Sequence, residues 1–175
     1  MGVLPLARRE PWTEADLDDL DETYGYEIVD GRLLVSPKPA FGHALAVDAL
    51  AAALRAAVPA GYAVVAEMLV GLPTSSRVPD LLVVDRSQVS RSDVRVRPEA
   101  IRLAVEVVSP SSVGDDRIRK PAEYAAAGIA AYWLVEPGEP PLITAFVLDG
   151  CSTTYRTASG ASPRAELPYP VDVGS

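Results

Sequence analysis

Apolar positions along this 175-residue chain fall into short runs whose period changes from segment to segment. Residues 13–20, Thr-Glu-Ala-Asp-Leu-Asp-Asp-Leu, open on a helix-capping threonine with acids in the first turn, which predicts a short helix. Residues 26–29 and 32–35 flank Asp30-Gly31, a pair suited to positive φ angles, and predict a tight hairpin closed by Pro37 and Pro39. From about His43 to Val58, Leu45, Val47, Leu50, Leu54 and Val58 recur among many alanines and predict a helix ended by Pro59 and Gly61. Three apolar runs follow at 62–70, 78–84 and 101–108, separated by proline- and charge-bearing loops, and all three are expected to be strands. A helix is expected over about 120–127 with a stop at Gly128, then a strand at 131–135 ended by Pro137-Gly138. Residues 142–148 should pair with that strand or lie beside it. The strand-helix-strand passage from Glu106 to Val135 is a crossover, so it implies a parallel pair within a mixed sheet. Thr153-Thr154-Tyr155 reads as an edge strand, and the proline-rich end from Ser162 as an irregular tail.

These elements predict one α/β domain spanning 1–175, a mixed β-sheet flanked by helices with an N-terminal β-hairpin. Its parts are a helical arm (1–24), a core (25–149) and an edge strand with tail (150–175). The composition, 49% hydrophobic and 23% charged, is that of a folding chain rather than a disordered one. A formal charge of −8 argues against a broad basic face for nucleic acid but leaves room for a local basic cleft. Arg91, Arg95, Arg97 and Arg102 form one such stretch, and Arg117, Arg119 and Lys120 another; solvated loops are the competing reading. Cys151 is the only cysteine, which rules out an intrachain disulfide or a cysteine zinc site and suggests a reducing, cytoplasmic setting. The N-terminal residues turn charged too soon for a signal peptide, the myristoylation pattern fails at Leu6, and no apolar run reaches membrane-spanning length.

Two carboxylates interrupt this apolar pattern. Asp80 stands at the entrance of the second run, and Glu106, 26 positions later, lies within Leu103-Ala104-Val105-Glu106-Val107-Val108. A lone carboxylate in a buried strand costs several kcal/mol, roughly, unless it is protonated, paired or bound to a cation. One shared divalent metal would serve both, since Mg2+ takes oxygen ligands and is usually held by one or two carboxylates. An acid near the start of one strand and one near the end of its neighbour converge only if the two strands are antiparallel.

The chain resembles the PD-(D/E)XK nuclease superfamily, and within it the Uma-type putative restriction endonuclease family. The resemblance spans most of the chain. It is carried by Tyr26 to Gly31, His43 opening a helix, Val78-Pro79-Asp80, Val105 to Ser111, Asp116 with Lys120 and Tyr124, and Gly128 through Val135. It implies a restriction-endonuclease-like core and a metal-dependent endonuclease acting on DNA. Asp80 and Glu106 would be the metal ligands with the Val107 backbone carbonyl, Mg2+ or Mn2+ the cofactor, and Lys120 the catalytic lysine. Glu27, His43, Glu67, Ser109 and Asp116 would be supporting residues. The superfamily pattern puts its lysine two positions after the glutamate, where this chain has Val108, so Lys120 stands as a lysine migrated onto the following helix. Pro121 then places Lys120 at the helix's N-terminal end, with Asp115 and Asp116 in the loop or cap.

Each residue also has a plainer reading. Pro-Asp at a strand entrance is ordinary turn chemistry, and Glu106 could pair with Arg102. Glu67 is either a third acid or an outward-facing strand residue, and Glu27 either a supporting acid or a cross-strand partner of Arg32. His43 could simply cap or pack, Lys120 alone would be a surface lysine, and Tyr124, Tyr132 and Trp133 read as core. For the whole chain the alternatives to a nuclease are a catalytically idle nuclease fold used as a protein-interaction module and a hydrolase of a small phosphate. So acidic an enzyme would need a local arginine patch or a homodimer to hold a polyanion.

Overall fold

The computed structural model describes residues 10–173 apart from Glu22, Ser111, Cys151 and Leu167. Cys151, the first nine residues of the arm, and the signal-peptide and lipidation readings on that segment lie outside the described residues.

Strand β1 (Gly25–Val29) turns through Asp30 at φ 49° and Gly31 at φ 76° into β2 (Arg32–Ser36), the hairpin that Asp30-Gly31 predicts. Ahead of it, α1 (Glu14–Leu17) is a single turn whose Asp16 carboxylate accepts from the Thr13 N–H and hydroxyl. Helix α2 (Phe41–Ala57) follows, two residues longer at its start than its apolar spacing suggests.

The apolar run 62–70 is not one strand. It divides into β3 (Tyr62–Ala66) and β4 (Leu69–Gly71) at Glu67, whose φ of 51° turns the chain from one sheet into another. Strand β5 (Ser75–Arg77) carries no apolar residue and so gives no hydrophobic signal, although all three of its residues are buried. Strand β6 (Leu81–Asp85) begins just after Asp80, β7 (Arg95–Val96) is a two-residue strand, and β8 (Ile101–Val107) contains Glu106.

The crossover from β8 holds a π-helical turn, Asp115–Arg119, continuous with α3 (Lys120–Ala126). The helix therefore does not start at Lys120 with a free N-terminus, as Pro121 suggests. Pro121 has no N–H to donate and its ring would crowd the carbonyl four residues back. The wider π turn, in which the Lys120 N–H reaches the Asp115 carbonyl, accommodates it. Gly128 at φ 80° ends the helix.

Strands β9 (Ala131–Glu136) and β10 (Leu142–Leu148) form an antiparallel pair. The C-terminal region is more regular than a proline-rich tail suggests. Strand β11 (Tyr155–Ser162) extends the sheet, and β12 (Arg164–Ala165) pairs with β13 (Val171–Asp172).

Among the described residues the strands assemble into a five-stranded sheet, β2-β1-β5-β4-β7, a six-stranded sheet, β11-β10-β9-β8-β6-β3, and the small β12-β13 pair. The implied parallel pair is β8 with β9, and β6 runs antiparallel to β8. Strand alternation gives the six-stranded sheet two apolar faces. Leu81, Val83, Leu103, Val105, Trp133 and Val135 pack with Leu50, Ala51 and Leu54 of α2. Leu82, Val84, Ala104, Tyr132 and Leu134 pack with Tyr124 of α3 and with Val70 and Val96 of the other sheet. Among the described residues no helix is long and apolar enough to cross a membrane.

Two glycines test this description. At Gly128 a Cβ would meet nothing within 4 Å, so Gly128→Ala should cost about 1 kcal/mol for its backbone conformation alone. At Gly31 a Cβ would lie 2.8 Å from the Pro11 Cβ, so Gly31→Ala should cost roughly twice as much. Urea unfolding of both variants at constant m-value measures the difference. Equal costs would contradict the close packing of Pro11 on the hairpin turn.

Candidate metal and active centre

The β6-β8 register sets Leu81 opposite Val105 and Leu82 opposite Ala104, which brings Asp80 and Glu106 to the next rung. The alternation that buries Leu82 and Ala104 against α3 directs both acids to that face. Asp80 accepts from the Val107 N–H through Oδ2 at 2.6 Å, and its Oδ1 lies 3.0 Å from His43 Nε2 at the start of α2. Since a carboxylate only accepts, Nε2 carries the proton in that contact. Glu106 is 2% exposed. Its Oε2 accepts from Lys120 Nζ at 2.8 Å and its Oε1 from Tyr124 Oη at 2.7 Å.

Lys120 and Tyr124 are four residues apart and present to one helix face, so α3 delivers both donors to Glu106. Lys120 also lies 3.0 Å from Asp116 Oδ1, while Asp116 accepts from the Ser112 hydroxyl through its other oxygen. Ser112 Oγ is 2.8 Å from Ser109 Oγ, so the loop leaving β8 closes on the π turn through these hydroxyls. Tyr132 Oη donates to the Asp116 carbonyl, which fixes the backbone of that turn.

Behind Lys120 stands Arg77, whose side chain is fully buried. It donates to Glu123 through Nε at 2.7 Å and Nη2 at 3.0 Å, and through Nη1 to Glu27 and Asp115, each at 3.0 Å. Glu27 accepts through Oε1 from the Val78 N–H at 2.9 Å and lies 3.9 Å from Lys120 Nζ.

Six carboxylates, those of Glu27, Asp80, Glu106, Asp115, Asp116 and Glu123, thus surround two buried permanent cations, Arg77 and Lys120; the exposed Arg119 lies 3.5 Å from Asp115, and His43 beside Asp80 adds a charge when protonated. Burial raises the Glu106 carboxyl from its ordinary 4.5 to about 8; Lys120 opposes the shift, and the charges of Asp80, Asp116 and Glu27 add to it. Burial likewise raises Asp116 against the pull of Lys120 and Ser112. The hydrogen bond to Asp80 raises His43 against the opposing effect of burial, with the charges of Asp80, Asp116 and Glu67 adding. Burial would lower Lys120 and Arg77, but the surrounding acids outweigh it, so both stay protonated.

This donor set fits a hard divalent cation. Its ligating atoms are carboxylate oxygens with lone pairs beyond those in the contacts above, and the negative charge exceeds the buried cations. Among the described residues no three histidine or acid side chains converge into a preformed ligand cluster, so water and substrate would complete the coordination.

Of the residues singled out from the sequence, Asp80, Glu106, Lys120, Asp116, His43 and Glu27 meet at this centre, and Ser109 reaches it through Ser112. Glu67 is exposed, at the turn between β3 and β4, and acts on His43 only through its charge. Two plainer pairings do not form: Arg32 lies against Glu10 rather than Glu27, and Arg102 against Asp85 rather than Glu106. Tyr124 is core, as expected, but also a donor to Glu106, a role its spacing from Lys120 could have disclosed. Arg77 had no such signal, since Ser-Ser-Arg reads as a solvated loop.

Residues 14–170 match the Uma2 family, described as "Putative restriction endonuclease". The structure is similar to the crystal structure of a putative nuclease belonging to DUF820 from Anabaena variabilis. The TM-score is 0.70 at 19% identity, over 90% of this chain and 89% of that one, which shows a shared fold. No curated protein matches the chain.

Tyr124→Phe removes one donor from a buried carboxylate without changing shape. It should destabilise the protein by about 1–3 kcal/mol, measured by chemical unfolding, because Oε1 of Glu106 loses this donor. An unchanged midpoint would mean that this oxygen is solvated in solution.

Proposed function

The chain belongs to the Uma2 family, and we propose that it is a divalent-metal-dependent endonuclease hydrolysing DNA phosphodiester bonds. The observation that carries this reading is Glu106. It is buried beside three further carboxylates with one lysine, a charge imbalance that a bound cation relieves. Asp80, Glu106 and the Val107 carbonyl would hold the cation. Mg2+ or Mn2+ suits such oxygen donors and, when bound, supplies Lewis acidity toward a phosphoryl oxygen and toward water.

The chain's own residues orient the rest. The Val107 N–H and His43 fix the rotamer of Asp80, and Tyr124 and Lys120 fix that of Glu106. Lys120, held protonated by its acids, has no free pair with which to take a proton. Its part in water attack is therefore to donate hydrogen bonds that place the nucleophile and stabilise charge developing on the phosphate. Arg117 and Arg119, exposed on the π turn and ion-paired there with Glu136 and Asp115, would exchange those surface partners for a DNA backbone. A reducing, cytoplasmic setting and a homodimer that shares the polyanion belong to the same reading.

One observation favours a second reading, an idle nuclease fold kept as a protein-interaction module. Both Glu106 oxygens already have donors within the protein.

Cleavage of supercoiled plasmid with Mn2+ tests the assignment. Asp80→Asn and Glu106→Gln should each lower the rate by about a hundredfold or more, while circular dichroism stays that of the parent protein. Parent-like cleavage in either variant would contradict it.

Stability should also depend on pH in a definite direction. Glu106, Asp116 and His43 all titrate higher in the folded state than in the unfolded chain, so the folded state binds more protons. Metal-free stability therefore falls as pH rises from about 5 to about 8. A cation held by Glu106 would require its deprotonated form, so stabilisation by Mn2+ should be larger at about pH 8 than at about pH 6. Thermal unfolding in chelator and in Mn2+ at both pH values measures this, and a pH-independent Mn2+ effect would contradict it.

A further inference from the structure

Arg77 is the buried charge that the proposed chemistry leaves unused. Its three acidic partners come from three segments: Glu27 from β1, Asp115 from the π turn and Glu123 from α3. Two of them bracket Lys120, five residues before it and three after it. The planar guanidinium fork thereby grips both ends of the turn that carries the lysine.

The third partner shows what the grip achieves. Glu27 is held by Arg77 on one oxygen and by the Val78 N–H on the other, and it stops 3.9 Å short of Lys120 Nζ. Glu106 and Asp116 approach the same ammonium to 2.8 and 3.0 Å. The acids are thus divided, with Glu27, Asp115 and Glu123 on the arginine and Glu106 and Asp116 on the lysine. We propose that Arg77 is a positioning residue: by holding Glu27, Asp115 and Glu123 it keeps the Lys120 ammonium on Glu106 and Asp116. The role in turnover rests on the nuclease reading above, whereas the placement of the lysine does not.

The chain contains two lysines, Lys38 and Lys120, of which Lys38 is exposed. A slowly exchanging ammonium signal in a 1H–15N spectrum of the full chain is therefore that of Lys120. In Arg77→Gln that signal should shift and broaden as Glu27 is freed to compete for it. Plasmid-cleavage kcat in saturating Mn2+ should fall about ten- to a hundredfold, with KM for DNA and calorimetric Mn2+ affinity within about threefold of the parent. Glu27→Gln added to Arg77→Gln should restore the signal and most of kcat, because the competing acid is gone. Glu123→Gln, a milder break in the same grip, should move the signal in the same direction and carries the test if Arg77→Gln does not fold.

The proposal is overturned if the ammonium signal is unmoved in the folded variants, or if Glu27→Gln rescues nothing. Failure of both single variants to fold also overturns it, since the arginine then serves the fold alone. Absence of cleavage by the parent protein would instead remove the nuclease reading, and the ammonium spectra would still decide what Arg77 does.

Discussion

One electrostatic constraint organises this protein: more carboxylates are buried at the junction of β6, β8 and α3 than there are cations to neutralise them. Desolvating a carboxylate costs several kcal/mol, roughly, so a fold keeps such an excess only where the acids share protons, partners or a bound ion. Lys120 neutralises part of it and is hydrogen-bonded to Glu106 at 2.8 Å. Burial and the neighbouring acids push the Glu106 carboxyl upward, toward its protonated form, and in the proposed active state a divalent cation would take the place of that proton. That substitution, proton for metal, links the pH dependence of the fold to its proposed chemistry.

The fold meets this constraint with ordinary parts. Antiparallel pairing of β6 and β8 puts Asp80 and Glu106 on one rung, and strand alternation puts both on the α3 face. The parallel crossover to β9 then requires a helix over that face, and this helix brings Lys120 and Tyr124. The least ordinary part is the π turn, which seats Pro121 and brings Asp116 to within 3.0 Å of Lys120. The five-stranded sheet adds the buffer behind the lysine, since β1 and β5 supply Glu27 and Arg77.

The legible part of this arrangement was whatever local periodicity or turn chemistry controls. Asp30-Gly31 specifies the hairpin, the alanine-rich spacing specifies α2, and the apolar strands 101–107 and 131–136 stand out because they are buried on both faces. The interruption of such a strand by Glu106 is what marks the centre at all. Tertiary contacts set the features that stayed hidden. Glu67 splits an apolar run that looks continuous, β5 is buried without one apolar residue, and Arg77 is ordered by acids 38 to 50 positions away. The expectation that a lysine on α3 stands in for one on the strand came only through the family resemblance, and the contacts of Lys120 only from the structure.

The central claim, that Asp80 and Glu106 hold one divalent cation, is tested most directly by anomalous diffraction at the manganese edge from crystals grown with Mn2+. The account predicts a single strong peak ligated by both carboxylates, with Lys120 still hydrogen-bonded to Glu106. A map with no peak there, and Glu106 bound only to Lys120 and Tyr124, would contradict it and leave the carboxylates as parts of the fold.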